Sequence, residues 1–116
     1  MNPILHIAGR GQWERAKKVG VYTGDTLDVE GFIHTSTPRQ VLKVADRVFR
    51  GRKGLVLLVI DPEKVRPEVR YEAAEDGDEY PHIYGPLNVD AVLRALKFEP
   101  GGDGTFALPE EVSDVG

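Results

Sequence analysis

Leu55-Val56-Leu57-Leu58-Val59-Ile60 is the longest apolar run of the chain, and it decides the fold class. The run does not alternate with polar residues, so it predicts a strand that is buried on both faces. Asp61-Pro62 ends the strand, because proline cannot donate to the next step of a hydrogen-bonded ladder. The run is much shorter than the ~20 apolar residues that a membrane-spanning helix needs. We therefore expect a central strand and no membrane partner.

The segment before this strand carries the clearest helix signal. Thr37-Pro38-Arg39-Gln40 matches a capping box, in which Thr37 caps the helix, Pro38 takes the first helical position and Gln40 reaches back. The pattern predicts a helix that begins at Pro38 and stops before Gly51. An earlier amphipathic helix is predicted over residues 12–19, where Gly20 is placed as a C-terminal stop.

Short strands account for most of the remaining pattern. Besides residues 55–60, strands are predicted over residues 4–8, 31–35, 68–73, within 81–88 and over 91–98, and an edge strand at Phe106 and Leu108. For residues 91–98 a helix stays open as the alternative. The connections are short, which favours antiparallel neighbours. The fold class is thus α+β, with about six short, mostly antiparallel strands and two helices in the N-terminal half.

Length and composition limit the possible chemistry. The chain has 116 residues, which suits one domain over residues 1–116, with a core at about 4–99 and an acidic tail at 109–116. It has no cysteine, which excludes disulfides, a thiolate nucleophile and a cysteine-type zinc site. The three histidines lack any short metal-ligand spacing, so we expect no metal. The N-terminus lacks the layout of a signal peptide, which predicts a cytoplasmic protein.

Charge is concentrated in two segments. Residues 72–79 carry five negative charges, and without them the net charge of −4 becomes +1. Residues 39–53 carry six positive charges, which belong to Arg39, Lys43, Arg47, Arg50, Arg52 and Lys53. This basic segment is either a solvated helix face or a surface for a phosphate-bearing ligand, with RNA as a further alternative.

The histidines mark three candidate sites, and two of them have a simpler structural explanation. His34-Thr35-Ser36 precedes the predicted helix start, where backbone N–H groups and Arg39 could hold an anion. The alternative is that Thr37 only caps the helix and Ser36 only bonds the turn. His6 lies on the first strand, where a neutral core histidine is the alternative to a ligand-binding one.

The third histidine lies among further reactive or aromatic side chains. His82 and Tyr84 share a face of a late strand, by the period of two. Glu72 is a candidate general base, or else a surface ion pair with Arg70. Trp13 and Tyr84 could stack on an aromatic ring, although core packing is the alternative for Trp13.

Five segments together resemble a bacterial family known as domain of unknown function 952. They are Leu5-His6-Ile7, Trp13 with Ala16, Gly31-Phe32-Ile33-His34-Thr35-Ser36 with Gln40-Val41, Val69-Arg70-Tyr71-Glu72, and Pro81-His82-Ile83-Tyr84-Gly85-Pro86-Leu87-Asn88. The resemblance covers roughly residues 4–99. It implies the ADP-ribosyltransferase-like fold, a split and mostly antiparallel sheet around a cleft.

The resemblance also implies a site for NAD. In many such transferases a first-strand His or Arg and a second-strand Tyr or hydroxyl-rich segment hold NAD, and a late-strand Glu promotes transfer. His6 matches the first position and His34-Thr35-Ser36 the second, whereas the late segment at His82 has no glutamate and Glu72 lies one strand earlier. Related RNA 2′-phosphotransferases use basic and His side chains instead of that Glu.

These implications give a complete hypothesis for function. We expect an NAD-dependent glycosyltransferase of the ADP-ribosyltransferase type, with NAD as a substrate and no resident cofactor. The expected catalytic residues are His34, Glu72 and His82, and the expected ligand-binding residues are His6, Trp13, Thr35, Ser36, Arg39 and Tyr84. The alternatives are a non-enzymatic module that binds a nucleotide or phosphorylated metabolite, and an RNA-contacting phosphotransferase-like protein.

Overall fold

The structure is a computed structural model that describes residues 2–113. It contains eight strands and four short helices in this range. In chain order they are β1 (Ile4–Gly9), α1 (Arg10–Val19), β2 (Val21–Tyr22), α2 (Leu27–Glu30), β3 (Ile33–His34), α3 (Val41–Val48), β4 (Leu55–Ile60), β5 (Glu68–Ala73), β6 (Glu79–Tyr84), β7 (Leu87–Asn88), β8 (Val92–Phe98) and α4 (Glu110–Ser113). Single 3-10 turns follow β4 and β7. All strand pairs are antiparallel, so the predicted α+β class with mostly antiparallel strands is confirmed.

The central sheet has the order β1-β4-β8. All six residues of β4 are buried, as its uninterrupted apolar sequence predicts. β1 pairs with β4 from Ile4 opposite Ile60 to Gly9 opposite Leu55, and β8 covers the other edge of β4. Residues 92–98 therefore form a strand, and the helix alternative for this segment is wrong.

A second sheet, with the order β3-β6-β5, joins the central sheet through one residue pair. The amide of Leu5 donates to the carbonyl of Ser36 at 2.7 Å, and the amide of Ser36 donates to the carbonyl of Leu5 at 2.8 Å. This bridge is the ladder contact between the two sheets within the described residues. The remaining strands, β2 and β7, pair only with each other.

Two apolar clusters pack on the two faces of the central sheet. One includes Ile4 and Ala8 of β1 with Trp13 and Ala16 of α1, and it extends to Ile33 of β3. The other is built around α3 and contains Leu5, Ile7, Val41, Ala45, Leu55, Leu57, Val59, Phe98, Phe106 and Val112. The side chains of β1 thus alternate between the two clusters, as the period of two requires.

The sequence underestimates the number of elements. We expect about six strands and two helices. The structure adds the two-residue strand β2 and the four-residue helices α2 and α4, and it divides the strand predicted within 81–88 into β6 and β7. Such short elements have too few residues to show a period. β6 and β7 are separated at Gly85, which has a φ of 154° and lies so close to Pro67 that a Cβ there would approach the proline Cβ to 3.0 Å.

The predicted start of α3 at Pro38 is wrong, because the regular helix begins at Val41. Residues 38–40 form a turn. Half of the predicted capping box is present, since Oε1 of Gln40 accepts a hydrogen bond from the amide of Thr37 at 3.0 Å. The amide group of the same side chain donates to the carbonyl of Glu79 at 2.8 Å, so Gln40 is held by β6 as well as by its own turn.

The C-terminal segment packs on the core without forming the predicted edge strand. Between β8 and α4, the amide of Phe106 donates to the carboxylate of Asp46 on α3 at 2.8 Å, and its ring stacks on Phe98. The backbone amide of Phe106 therefore bonds the side chain of Asp46 and not the backbone of a neighbouring strand. The predicted acidic tail at 109–116 begins with α4, in which Val112 is buried, and its residues 114–116 lie outside the described range, as does Met1.

The basic segment and the acidic loop contact each other. Nζ of Lys43 on α3 lies 2.9 Å from a carboxylate oxygen of Asp76 and 2.8 Å from one of Asp78, both in the loop between β5 and β6. The hydroxyl of Tyr80 donates to Asp76. These contacts link α3 to the second sheet. Within the described range, none of the helices has the length and apolar character to cross a membrane.

Candidate functional site

Side chains from three neighbouring segments collect on one face of the second sheet. β6 is the middle strand, and His82 lies opposite His34 of β3 on one side and opposite Arg70 of β5 on the other. Because side chains alternate along a strand, every second residue of these segments shares a face. We call five of them, Phe32, His34, Glu72, His82 and Tyr84, the histidine–glutamate cluster.

The Glu72 carboxylate is the centre of the hydrogen bonds in this cluster. Its Oε1 accepts from the hydroxyl of Tyr84 at 2.5 Å and from Nδ1 of His82 at 2.7 Å. These two bonds, Tyr84 first, hold the pKa of Glu72 below its usual range, so the carboxylate is ionised at neutral pH. Its second oxygen, Oε2, receives no hydrogen bond from another residue of the range 2–113, and the side chain is 38% exposed. Glu72 therefore presents a free, negatively charged oxygen to an incoming molecule.

Two imidazole rings lie beside this carboxylate. The ring of His82 stacks on Phe32 with centroids 4.1 Å apart, and its side chain is 12% exposed. The ring of His34 meets His82 edge-on at 5.3 Å, and its side chain is 50% exposed. Since a carboxylate accepts, Nδ1 of His82 must carry a proton. His34 is paired in turn, with Nε2 lying 2.9 Å from a carboxylate oxygen of Glu30.

The cluster can supply general acid–base chemistry and electrostatic stabilisation. A free carboxylate oxygen can accept a proton or stabilise a developing positive charge, and imidazole is the commonest proton-transfer group. Arg70 lies over the ring of Tyr84 at 4.3 Å, so a cation borders the same face. The aromatic side chains offer flat surfaces for a planar ring.

His6 belongs to the opposite face of the sheet. Its neighbour Leu5 points into the α3 cluster, so His6 points toward the α1 cluster, where its ring contacts Tyr22 at 5.1 Å. His34 points the other way, because its neighbour Ile33 is in the α1 cluster. The side chains of His6 and His34 therefore point to opposite faces. A cavity of about 50 Å³ borders both residues, which is room for a water molecule or two and not for a nucleotide.

The hydrogen bonds of His6 fix its tautomer. Nδ1 lies 2.5 Å from the backbone carbonyl of His34, and since a carbonyl only accepts, Nδ1 carries the proton. Nε2 then accepts from the hydroxyl of Tyr22 at 2.8 Å. Burial lowers the pKa of His6 to about 4 and raises that of Tyr22, so both groups are neutral at pH 7. His6 supports the backbone of His34 from behind the sheet.

We expect the ring of His6 to titrate with a midpoint of about 4. Near pH 6.5 the unfolded chain takes up a proton that the folded protein does not, so the free energy of unfolding falls as the pH falls from 6.5 to 4. The full shift corresponds to about 3 kcal/mol. NMR titration of the imidazole signals measures the midpoint, and urea denaturation at both ends of this window measures the loss. His6→Gln removes this contribution to the pH dependence. A midpoint near the ordinary histidine value would contradict the buried hydrogen-bonded ring.

Comparison with known proteins places the chain in a family. The family model described as "Protein of unknown function (DUF952)" matches residues 7–95. The chain belongs to the DUF952 family. The matched residues contain the whole histidine–glutamate cluster and begin one residue after His6. Among curated proteins, none matches the chain.

The DUF952 fold is also found in solved structures of protein CC0527 from Caulobacter crescentus. The sequence of CC0527 is 34% identical to this chain, and its X-ray structure gives a TM-score of 0.87 over 96% of this chain and 98% of that one. An X-ray structure of a double mutant of CC0527 gives the same values. Its solution NMR structure gives a TM-score of 0.82 over 97% of this chain and 98% of that one, again at 34% identity.

Three of the expected ligand-binding residues of this DUF952 protein are buried and make structural contacts. Trp13 is 6% exposed and packs in the α1 cluster. Thr35 is buried, and its hydroxyl donates to the carbonyl of Pro81 at 2.5 Å. Ser36 is buried, and its backbone forms the bridge to Leu5. Core packing, the alternative considered for Trp13, therefore describes its observed surroundings, whereas Ser36 pairs with β1 and not with the turn.

The structure of this DUF952 protein adds Phe32 to the expected cluster residues and places Glu30 and Arg70 beside them. Phe32 shares the predicted face of His34, and this alternation was the signal that could have identified it. Glu30 is the last residue of α2, a helix that the sequence does not predict, so nothing in the sequence connects it to His34. An ion pair with Arg70 is the alternative considered for Glu72, but the Arg70 guanidinium bonds Glu68 at 2.9 Å, which leaves Glu72 to Tyr84 and His82.

Arg39 lies apart from the cluster, beside a separate cavity. The cavity has a volume of about 590 Å³ and is bordered by Asn2, Pro3, Thr37, Pro38, Arg39, Gln40, Tyr71 and Asp78. Across the same described range, no three His, Asp or Glu side chains are grouped as metal ligands. The expected site residues are thus divided among four places: the histidine–glutamate cluster, the hydrogen-bonded pair of His6 and Tyr22, the core, and this cavity.

Proposed function

We propose that this DUF952 protein is an ADP-ribosyltransferase-like enzyme that binds NAD or a related nucleotide at the histidine–glutamate cluster. The observation that carries the proposal is the ionised Glu72, whose Oε1 is fixed by Tyr84 and His82 and whose Oε2 is free. Two antiparallel sheets that are joined by one bridge are consistent with the split sheet of that fold.

The proposed reaction breaks the bond between the nicotinamide nitrogen and the ribose carbon. Nicotinamide leaves with the bonding electron pair, and the ribose carbon becomes part of a positively charged oxocarbenium ion. Oε2 of Glu72 stabilises this charge as it develops. A hydroxyl group of the acceptor, or water, then forms the new bond to the ribose carbon, and its proton passes to Glu72.

The other cluster residues hold the groups that react. Tyr84 and His82 keep the Glu72 carboxylate in one orientation, which spares the cost of ordering it during the reaction. His34 is the half-exposed imidazole, so its ring is the one that an incoming nucleotide reaches first. His6 is a positioning residue, because it bonds the His34 carbonyl and does not reach the cluster.

Two measurements test the proposal. In a thermal-shift titration, NAD and ADP-ribose at millimolar concentration are expected to raise the melting temperature, because a ligand that binds only the folded state stabilises it. Incubation with NAD is expected to release nicotinamide. If neither ligand raises the melting temperature and no nicotinamide is released, the proposal is wrong.

A non-enzymatic nucleotide-binding module is the second candidate. The observation that favours it is the exposure of the cluster at the surface, where water is not excluded from the reacting atoms. It predicts the rise in melting temperature without the release of nicotinamide. The two measurements therefore separate an enzyme from a binding module.

A further inference from the structure

The cavity at Arg39 is a separate concave surface with its own chemistry. It lies between the segment that precedes β1, the turn before α3, and the far end of the second sheet. Its volume of about 590 Å³ is within the range of small-molecule sites. Its lining contains none of the five residues of the histidine–glutamate cluster.

This cavity is bordered by a cation that has no partner in the described range. Arg39 is exposed, and it makes no hydrogen bond or ion pair with any other residue of the described range. The acidic residue at the cavity, Asp78, already lies 2.8 Å from the Nζ of Lys43. The guanidinium of Arg39 is therefore the charge that remains to be matched. A planar guanidinium is suited to phosphate, which it can bind with two parallel hydrogen bonds.

A hydroxyl adds to this anion-binding capacity. The side chain of Thr37 borders the cavity, and its hydroxyl has no hydrogen-bond partner among residues 2–113. The backbone of Thr37 is occupied, since its amide bonds Gln40 and its carbonyl accepts from the amides of Gln40 and Val41. The free hydroxyl can donate to a further oxygen of a phosphate that Arg39 holds.

An exposed aromatic ring forms another part of the lining. Tyr71 on β5 is 53% exposed, although a large aromatic side chain gains free energy when it is covered. Pro3 and Pro38 contribute rings of fixed conformation to the same lining. A flat ring can stack on Tyr71 without reordering the backbone around it.

We propose that this cavity is a second ligand site, which binds a molecule that joins a phosphate group to a flat heteroaromatic ring. Arg39 and Thr37 bind the phosphate, and Tyr71 stacks on the ring. A nucleoside monophosphate has this chemistry. The site does not depend on the proposed reaction at the histidine–glutamate cluster, because the two sets of residues do not overlap.

Calorimetric titration of the whole protein with 5′-AMP, adenosine and ribose 5-phosphate tests the proposal. We expect 5′-AMP to bind, and Arg39→Ala to weaken that binding about tenfold or more. Tyr71→Thr places another residue that is favoured in strands at this position. It is expected to weaken the binding of 5′-AMP and adenosine and to leave the binding of ribose 5-phosphate unchanged. Arg47→Ala removes an exposed arginine of α3 outside the cavity and is expected to leave all three unchanged.

Two outcomes would overturn this second site. One is that 5′-AMP at about 5 mM gives no heat of binding, because this concentration exceeds a Kd of about 1 mM, at which weak binding is still detected. The other is 5′-AMP binding that survives Arg39→Ala but is lost in Glu72→Gln, which would place the nucleotide at the cluster. Nicotinamide release is measured on the same variants. Tyr71→Thr, which changes no expected residue of the nucleotide-binding cluster, is expected to leave nicotinamide release unchanged, so failure of this site and failure of the proposed enzyme are separate results.

Discussion

Replacing Glu72 by glutamine is expected to lower the rate of nicotinamide release from NAD by about 100- to 1000-fold, the usual effect of losing one preorganised group that stabilises transition-state charge. Glutamine has nearly the same shape, and its amide oxygen can still accept from Tyr84 and His82. What the variant loses is the negative charge opposite the developing oxocarbenium ion. The measurement is the initial rate of nicotinamide release at saturating NAD.

Glu75→Gln is the matched control for this prediction. Glu75 is exposed in the loop that follows β5, so the control removes the same charge outside the cluster. We expect the rate of Glu75→Gln to equal that of the unmodified protein, and the melting temperatures of both variants to stay close to it. Equal rates in Glu72→Gln and the unmodified protein would remove Glu72 from the reaction.

Replacing Phe98 by alanine is expected to lower the free energy of unfolding by about 3–5 kcal/mol. Phe98 is 1% exposed at the end of β8, and its ring stacks on Phe106 with centroids 4.6 Å apart. The variant loses the buried area of the ring and leaves a cavity in the α3 cluster. It also removes the surface on which the segment before α4 packs.

Urea denaturation measures this change, and Leu93→Ala is its control on the same strand. Leu93 is 41% exposed, so its truncation is expected to cost less than about 1 kcal/mol. A loss in Phe98→Ala no larger than that in Leu93→Ala would show that the C-terminal segment does not complete the core.

The strands with strong patterns could be predicted from the sequence to the residue. β4 is an unbroken apolar run, and β5 alternates over all six of its residues, so both have the predicted bounds. β2 could not be predicted, because two residues show no period, and the separate strand β7 could not be predicted because its pairing with β2 is a contact distant in sequence. The start of α3 was placed three residues early because Gln40 also bonds β6, a tertiary contact that the capping pattern does not contain.

The candidate site was only partly predictable for a related reason. Alternation along each strand placed His82 with Tyr84, and Phe32 with His34, on shared faces. It could not show how the strands meet. The bridge between Leu5 and Ser36 sets that register, and it directs His6 to the face opposite His34. The three histidines of the sequence therefore divide into a buried structural one and two in the cluster.

The most direct test of the proposed nucleotide site is an NMR titration with NAD that follows the imidazole signals of all three histidines. Binding at the cluster predicts saturable shifts for His34 and His82, which lie at Glu72, and much smaller shifts for His6, which lies on the other face. Saturable NAD binding that leaves the His34 and His82 signals unchanged would contradict a nucleotide site at the histidine–glutamate cluster.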